Sequence, residues 1–275
     1  MKVIFILLLL LIINPVFAQN VSQITTINDH YSFNGIGNNK EQPTKGSANL
    51  TLLRLVAPAY NDGISSLSNQ NSPNPRLISN LICEQQPDLD IIDERNLSDM
   101  NWVWAQFISH DIDFTPTAIF DPSLRNLDRV EILAPRNDQF YEMNRTMMSV
   151  FRSLYDVNTG MSKNNPREQI NTITAWLDGS VIYGSSESRA NMLRAFEGGK
   201  LKVSKHNSGD LLPLAPVGSL EEKQVRGQAF FAGETRSNEH IAITALHTLF
   251  VSCLLYTSDA ADEGLGVDLG GRRII

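Results

Sequence analysis

The segment from Leu97 to Ile112 is the feature that most limits how this chain can fold. Its apolar residues recur at the spacing of one helix face, which predicts a helix over the whole segment. In that helix Gln106 and His110 are four positions apart and share a face. Asp111 is turned by about 100° from His110. One helix could therefore supply an acid–base group to one site and a carboxylate to another, although a solvated or core histidine also fits this segment alone.

A second segment, residues 174–180, alternates positions that can offer oxygen atoms. Thr174, Asp178 and Ser180 carry oxygen in their side chains, and Trp176 between them can offer its carbonyl. Ca²⁺ binds about six to eight oxygens at about 2.3–2.6 Å. The pattern is typical of a loop around calcium, and a polar turn between two apolar runs is the alternative.

A third segment, residues 232–240, precedes an apolar-periodic run that starts at Ile241. Ser237 or Asn238 is predicted to be the N-cap of a helix formed by that run. Arg236 would then lie at the mouth of the helix and direct a positive charge toward whatever faces it. A surface arginine beside a cap is the alternative interpretation.

In this order and at these spacings, the three segments resemble the animal-type haem peroxidases, the superfamily of myeloperoxidase and peroxinectin. The resemblance runs from about residue 31 to residue 251. It implies a mainly α-helical fold with little β structure, of which this chain holds the amino-terminal part and is incomplete. Shorter stretches that share the resemblance are Leu52–Leu55, Tyr60–Ser65 and Pro75–Asn80.

Three further elements are predicted from local pattern. Residues 145–155 have helical spacing, with the methionines at 147 and 148 packing inward. Residues 188–196 form another short helix. Residues 200–216 are predicted to be a loop or a short hairpin.

The resemblance implies roles for the residues of the three segments. His110 would be the distal base that takes a proton from H₂O₂ and returns it to the leaving oxygen. Arg236 would stabilise charge on the breaking O–O bond, and Gln106 would hydrogen-bond water or halide above the iron of haem b. Glu239 would form an ester to a haem methyl group. The implied calcium ligands are Asp111, Thr174, Trp176 through its carbonyl, Asp178 and Ser180.

Two positions depart from the family pattern. Ser109 stands where the family usually has an aspartate that forms a second haem ester, and serine has no carboxylate for that bond. His240 stands where myeloperoxidase has a methionine that forms a sulfonium link. The haem would therefore have at most one ester link, through Glu239, and one-electron oxidation of small phenolic donors is expected more than strong halide oxidation.

The two ends of the chain are expected to lie outside the domain. Residues 1–18 have a lysine, an apolar run and a small residue at a cleavage point, which predicts a secretory signal and a secreted protein with no membrane span. Residues 19–251 would be the haem peroxidase domain. Residues 252–275 resemble a translated sequencing-library adapter. With that segment set aside, no histidine stands in a proximal-ligand context, so the isolated chain is expected neither to bind haem natively nor to catalyse.

Charge and cysteine content exclude other classes. The net charge is −7, which argues against a nucleic-acid partner. Two cysteines, Cys83 and Cys253, are present, and the second lies in the suspect tail. No internal disulfide is expected, so packing, haem and calcium would have to stabilise the fold.

Three functions compete. The first is a secreted peroxidase that uses H₂O₂ and a small reducing substrate. The second is a fatty-acid oxygenase of the same superfamily, against which the intact 174–180 segment and Arg236 count. The third is a non-enzymatic adhesion or binding module on a peroxidase scaffold. The presence of Gln106, His110 and Arg236 together favours the first over the third.

Overall fold

The computed structural model describes residues 32–68, 72–86, 88–89, 91–117, 128–136, 138, 141, 147–225 and 227–265, with side chains as far as residue 253. The helices in this part of the chain are α1 (Pro75–Cys83), α2 (Met100–Ile112), α3 (Ser180–Tyr183), α4 (Glu187–Leu193), α5 (Leu220–Gln224) and α6 (Ile241–Leu265), with a 3₁₀ helix at Thr235–Asn238. The strands are β1 (Leu50–Thr51), β2 (Arg129–Leu133), β3 (Met147–Phe151), β4 (Ile170–Asn171), β5 (Ser204–His206) and β6 (Gly209–Leu211). They pair antiparallel as β1 with β4, β2 with β3 and β5 with β6.

Helix α2 confirms the prediction from periodicity, with a start three residues later than expected. It begins at Met100, whose backbone N–H donates to the hydroxyl of Ser98 at 3.1 Å. Val103 and Phe107 are buried on its inner face. The helix ends at Ile112 because Asp113 takes an extended conformation. His110 and Asp111 are therefore both buried in the last turn.

The predicted helix at residues 145–155 is wrong. Met147–Phe151 is strand β3, and it pairs with β2 so that Met148 lies opposite Ile132 and Val150 opposite Val130. Exposure alternates along β2, which gives that strand one half-buried face. A short run that is rich in apolar residues is compatible with either a helix or a strand. Here the hydrogen-bonded pairing with β2 stabilises the strand.

The two shorter predictions hold. The helix expected at residues 188–196 is α4, whose first turn is capped by the hydroxyl of Ser186, which accepts the N–H of Arg189 at 3.2 Å. Residues 200–216 contain the β5–β6 hairpin. Gly209 has a φ of 128° at the turn, a conformation that favours glycine.

The hydrophobic core lies beneath α2 and α6 and includes α3. The Phe107 and Phe250 rings stack with centroids 4.9 Å apart, which joins α2 to α6 directly. This packing holds the second half of α2 against the middle of α6. The buried core residues are Val103, Phe107, Val181, Ile182, Tyr183, Leu193, Leu201, Leu212, Phe231, Ala232, Ile243, Leu246 and Val251.

The predicted domain boundaries at the two ends of the chain remain predictions. The predicted signal at residues 1–18 lies outside the described residues. Helix α6 continues to Leu265, and the adapter origin of residues 252–275 stays a prediction. Cys83 is a free, exposed cysteine. No helix in the described ranges combines the length and apolar content needed to cross a membrane.

Gly233 lets the segment before the 3₁₀ helix lie directly on α3. A Cβ atom at this position would fall within 2.6 Å of the backbone nitrogen of Gly184 and would also overlap the backbone of Ser180 and Ile182. Such distances are shorter than any real packing contact, and backbone cannot rotate away as a side chain can. Only glycine permits this approach.

We therefore expect Gly233→Ala to lower the free energy of unfolding by about 3 kcal/mol or more, because it overpacks a backbone contact. Urea titration would measure the change. Gly37→Ala is the matched control, since its φ of 88° disfavours alanine while its Cβ would meet nothing within 4 Å. That control should cost about 1–2 kcal/mol. Equal costs for the two variants would contradict the packing argument.

His247 on α6 is a buried histidine without a described hydrogen-bond partner. It is 0% exposed, and its ring meets the Phe107 ring edge-on at 5.1 Å. Neither ring nitrogen is hydrogen-bonded within the described part of the chain. Burial lowers the pKa of His247 from 6.5 to about 3, and its interactions with His110, Arg189 and Arg236 add to this effect.

Acidification is therefore expected to destabilise the fold through His247. The unfolded chain binds a proton at this residue below pH 6.5 and the folded chain does so only near pH 3, so stability falls as pH decreases through that window. His247→Leu should remove up to about 1.4 kcal/mol per pH unit from the slope, with other buried groups retaining the rest. Urea titrations at several pH values would test this. Equal slopes for both proteins would contradict it.

Candidate active site

The candidate site lies where the last turn of α2 meets the 3₁₀ helix and the start of α6. His110 is at its centre and is 4% exposed. Its Nε2 atom is 3.5 Å from Nε2 of Gln106 and 3.7 Å from a carboxylate oxygen of Glu239. Its Nδ1 atom is 3.7 Å from a carboxylate oxygen of Glu234. Two of the predicted residues, Gln106 and Glu239, thus lie around the imidazole of His110.

The imidazole of His110 is held in its neutral form. Burial lowers its pKa to about 3, and its interactions with Arg236 and His240 contribute further. A neutral imidazole has one nitrogen lone pair that can accept a proton. His110 is therefore available as a base near neutral pH.

Gln106 connects α2 to the two residues between the 3₁₀ helix and α6, Glu239 and His240. Its amide nitrogen donates to the carboxylate of Glu239 at 2.8 Å, and its amide oxygen lies 2.8 Å from Nε2 of His240. The His240 ring also lies 5.0 Å from the Trp102 ring. The amide is therefore held from two sides.

Arg236 is fixed by three interactions. Its Nε atom donates to the carboxylate of Glu234 at 2.8 Å, and a terminal nitrogen donates to the carbonyl of Asp113 at 2.7 Å. Its guanidinium lies over the Phe114 ring, 4.5 Å from the centroid. The predicted positive charge is close to His110 and has a defined orientation.

The N-cap predicted at Ser237 or Asn238 is wrong. Both residues lie in the 3₁₀ helix, which forms because the Glu234 carboxylate accepts the backbone N–H of Arg236 at 2.8 Å. The amide of Asn238 instead bonds both backbone groups of Phe230 at 2.8 Å. The side chain of His240 caps α6 instead, because its Nδ1 atom accepts the backbone N–H of Ile243 at 3.3 Å.

Four of the five predicted calcium ligands form one cluster on the other side of α2. The hydroxyl of Thr174 lies 3.0 and 3.1 Å from the carboxylate oxygens of Asp178 and 3.2 Å from the hydroxyl of Ser180. That hydroxyl is 3.3 Å from a carboxylate oxygen of Asp111. For the fifth ligand, Trp176, the described contacts involve the indole, which packs so tightly on Gly46 that a Cβ there would lie 2.6 Å from Nε1.

Two carboxylates of this cluster, those of Asp111 and Asp178, lie close enough to interact. Burial raises the pKa of the Asp111 carboxyl and the charge of Asp178 adds to the rise, while backbone N–H groups of Gly179 and Val181 oppose it. Within the described ranges no group of three or more His, Cys, Asp or Glu could hold a metal. A cation here would therefore depend on hydroxyl and carbonyl oxygens beside the two carboxylates, which is the donor set of a hard ion such as Ca²⁺.

Comparison with known proteins identifies the family. The family model described as animal haem peroxidase matches residues 30–252. The chain belongs to the animal haem peroxidase family. The resemblance of the three sequence segments is thereby confirmed.

The relatives of this animal haem peroxidase chain are considerably longer than it. Peroxinectin A from Dictyostelium discoideum is 30% identical over 244 residues, which are 83% of this chain and 44% of that protein. Lactoperoxidase from Homo sapiens is 30% identical over 243 residues, 78% of this chain and 34% of that protein. The chain thus spans less than half the length of these relatives.

Solved structures agree on the fold. Peroxidase A from Dictyostelium discoideum superposes with a TM-score of 0.70 at 27% identity and covers 86% of this chain and 48% of that structure. The fatty acid alpha-dioxygenase from Arabidopsis thaliana superposes with a TM-score of 0.60 at 19% identity, over 84% of this chain and 31% of that structure. The second likeness concerns the fold alone.

In this animal haem peroxidase chain, the sequence interpretation missed two contacts of the site, that of Glu234 with His110 and that of His240 with Gln106. Glu234 is 3% exposed; burial raises its carboxyl pKa, and the adjacent Arg236 opposes that rise. The one sequence feature that could have indicated this role is that Glu234 lies two residues before Arg236, at the start of a turn. His240 was noted as a departure from the pattern, but its bond to Gln106 spans 134 residues and follows from no local pattern.

Proposed function

We propose that this chain forms the distal part of the active site of a secreted haem peroxidase, which reduces H₂O₂ and oxidises small phenolic or halide donors. The observation that supports the proposal is the neutral, buried imidazole of His110 beside the Gln106 amide and the Glu234–Arg236 pair. A base, a fixed cation and an amide donor are the groups that cleavage of an O–O bond requires of a protein.

His110 would carry the proton in this reaction. Nε2 takes a proton from the bound H₂O₂ and returns it to the oxygen that leaves as water. The depressed pKa of His110 keeps the ring unprotonated before the reaction. Such acid–base transfer typically contributes about 10²–10⁴-fold to a rate.

Arg236 would stabilise the negative charge that develops as the O–O bond breaks. Its bonds to Glu234 and to the carbonyl of Asp113 hold the guanidinium in place, so little reorganisation is needed during the reaction. The Gln106 amide would orient a water molecule or a halide beside His110.

Haem b would supply the iron that binds peroxide and stores the oxidising equivalents. Glu239 is the residue suited to an ester with it, since 44% of its side chain is exposed and its carboxylate reaches the His110 side of the site. Ser109 donates to Asp113 at 3.2 Å and provides no carboxylate for a second ester.

Calcium would tie α2 to the loop at residues 174–180. Asp111 follows His110 directly, so an ion that holds Asp111, Asp178, Thr174 and Ser180 also fixes the last turn of α2. The ion would have a structural role and would not touch the substrate.

The test is oxidation of a phenol by H₂O₂. The protein is produced with whatever flanking sequence its native locus encodes, loaded with haem and calcium, and assayed with guaiacol and H₂O₂. Oxygen uptake with a long-chain fatty acid is measured in parallel. Peroxide-dependent oxidation without fatty-acid oxygenation is expected. Fatty-acid oxygenation alone would favour the oxygenase, and no turnover in either assay would favour the binding module.

A further inference from the structure

We propose that His240 is a positioning residue, which acts through Gln106 to hold His110 with its proton on Nδ1 and its lone pair on Nε2. The inference rests on the proposed function for its catalytic meaning. Its structural content, the proton positions in a chain of hydrogen bonds, stands on the described contacts alone.

The chain of bonds begins at the cap of α6. The backbone N–H of Ile243 can only donate, and it donates to Nδ1 of His240 at 3.3 Å. In a neutral imidazole the other nitrogen must then carry the proton. Nε2 of His240 is therefore the donor to the amide oxygen of Gln106, at 2.8 Å.

The next link fixes the orientation of the Gln106 amide. Its nitrogen lies 2.8 Å from a carboxylate oxygen of Glu239, which can only accept while it is ionised. A flipped amide would place two acceptors against each other at Glu239 and two donors against each other at His240. Both neighbours thus select the same orientation.

This orientation sets the tautomer of His110. The Gln106 nitrogen, with its second N–H, lies 3.5 Å from Nε2 of His110. A protonated Nε2 would face that N–H, so the arrangement favours the lone pair at Nε2. Nδ1 then carries the proton and faces the buried carboxylate of Glu234 at 3.7 Å. A carboxylate oxygen of Glu239 lies 3.7 Å from Nε2, the same distance as that of Glu234 from Nδ1, so the two carboxylates offset each other. The N–H of Gln106 then decides between the tautomers and favours the one that a base at Nε2 requires.

Two substitutions separate the two nitrogens of His240. His240→Asn keeps an acceptor near the position of Nδ1, so α6 remains capped, but it cannot reach Gln106. His240→Gln places a donor near the position of Nε2. His206→Asn is the matched control, since His206 is exposed in the β5–β6 hairpin and bonds only Ser208 among the described residues.

The readout is the tautomer of His110, measured by two-bond ¹H–¹⁵N correlation on the ¹⁵N-labelled 275-residue chain at neutral pH. The wild-type chain and His206→Asn should show the Nδ1–H tautomer of His110. His240→Asn should raise the ratio of the other tautomer roughly five-fold, the effect of one lost hydrogen bond. His240→Gln should largely restore the wild-type ratio.

Three results would overturn the proposal: the Nε2–H tautomer of His110 in the wild-type chain, no change in His240→Asn, or equal changes in the Asn and Gln variants. The last would show that ring packing on Trp102 matters and the donor does not. Circular dichroism establishes that each variant is folded. Since the readout needs neither haem nor peroxide, it stays informative even if the proposed peroxidase activity is absent.

Discussion

Replacing Asp178 with asparagine is expected to abolish calcium-dependent stabilisation of this protein. Asp178 and Asp111 are the two carboxylates of the oxygen cluster, and the asparagine amide removes one of the two negative charges that a divalent cation would balance. An ion present at 100 times its dissociation constant contributes about 2.7 kcal/mol to the folded state. Calcium chelation should therefore lower the melting temperature of the wild-type protein and leave that of Asp178→Asn almost unchanged.

The matched control is Asp156→Asn. Like Asp178, Asp156 lies in a loop and accepts a backbone N–H with its carboxylate, here that of Asn158 at 2.9 Å. It shares no bond with the cluster in the described contacts, so its replacement should leave the response to chelation intact. A wild-type protein whose melting temperature ignores both calcium and chelator would contradict the assignment of this cluster.

His110→Gln is expected to lower kcat/KM for H₂O₂ by about 10²–10⁴-fold in the haem-loaded protein, because it removes the base from the site. Glutamine fills much of the same volume. The described polar contacts of the His110 side chain are 3.5 Å or longer, so the fold should lose little stability. The KM for the phenolic donor should change by a much smaller factor than kcat/KM for H₂O₂. Steady-state assays that vary each substrate separately would measure both effects.

The control for this prediction is His206→Gln in the exposed hairpin, which should keep wild-type kinetics. A decrease of less than ten-fold in His110→Gln would contradict the role of His110 as the base. The unfolding curve of each variant should be measured first, so that lost activity is not confused with lost structure.

Local sequence patterns predicted helix α2, and they could not predict contacts between segments that are distant in sequence. Helix α2 was predicted from periodicity because the residues of a buried helix face recur every three to four positions. Adjacent residues in a helix are about 100° apart, so His110 and Asp111 were expected to face different neighbours. The alternation at residues 174–180 predicted oxygen ligands, and the resemblance added Asp111. The side chains of Thr174, Asp178, Ser180 and Asp111 lie together, and calcium binding there stays a prediction. The helix prediction succeeded because its pattern is local.

All but one of the failures have a common cause in contacts between distant segments. Met147–Phe151 forms a strand because β2 offers it a partner, and nothing within residues 145–155 records that pairing. The bond from His240 to Gln106 and the approach of Glu234 to His110 also join distant segments. The capping error at Ser237 and Asn238 arose because the Glu234 side chain starts a tight turn earlier than the expected cap.

Chemical rescue tests the central claim, that His110 is the base for peroxide, most directly. His110→Ala is prepared as the haem-loaded protein and mixed with H₂O₂ in a stopped-flow instrument while the imidazole concentration is increased. If His110 supplies the proton acceptor, the variant should react slowly alone, and its rate should rise with the concentration of neutral imidazole toward that of the wild-type protein. A slow variant whose rate does not respond to imidazole, or a variant as fast as the wild-type protein without it, would contradict the claim.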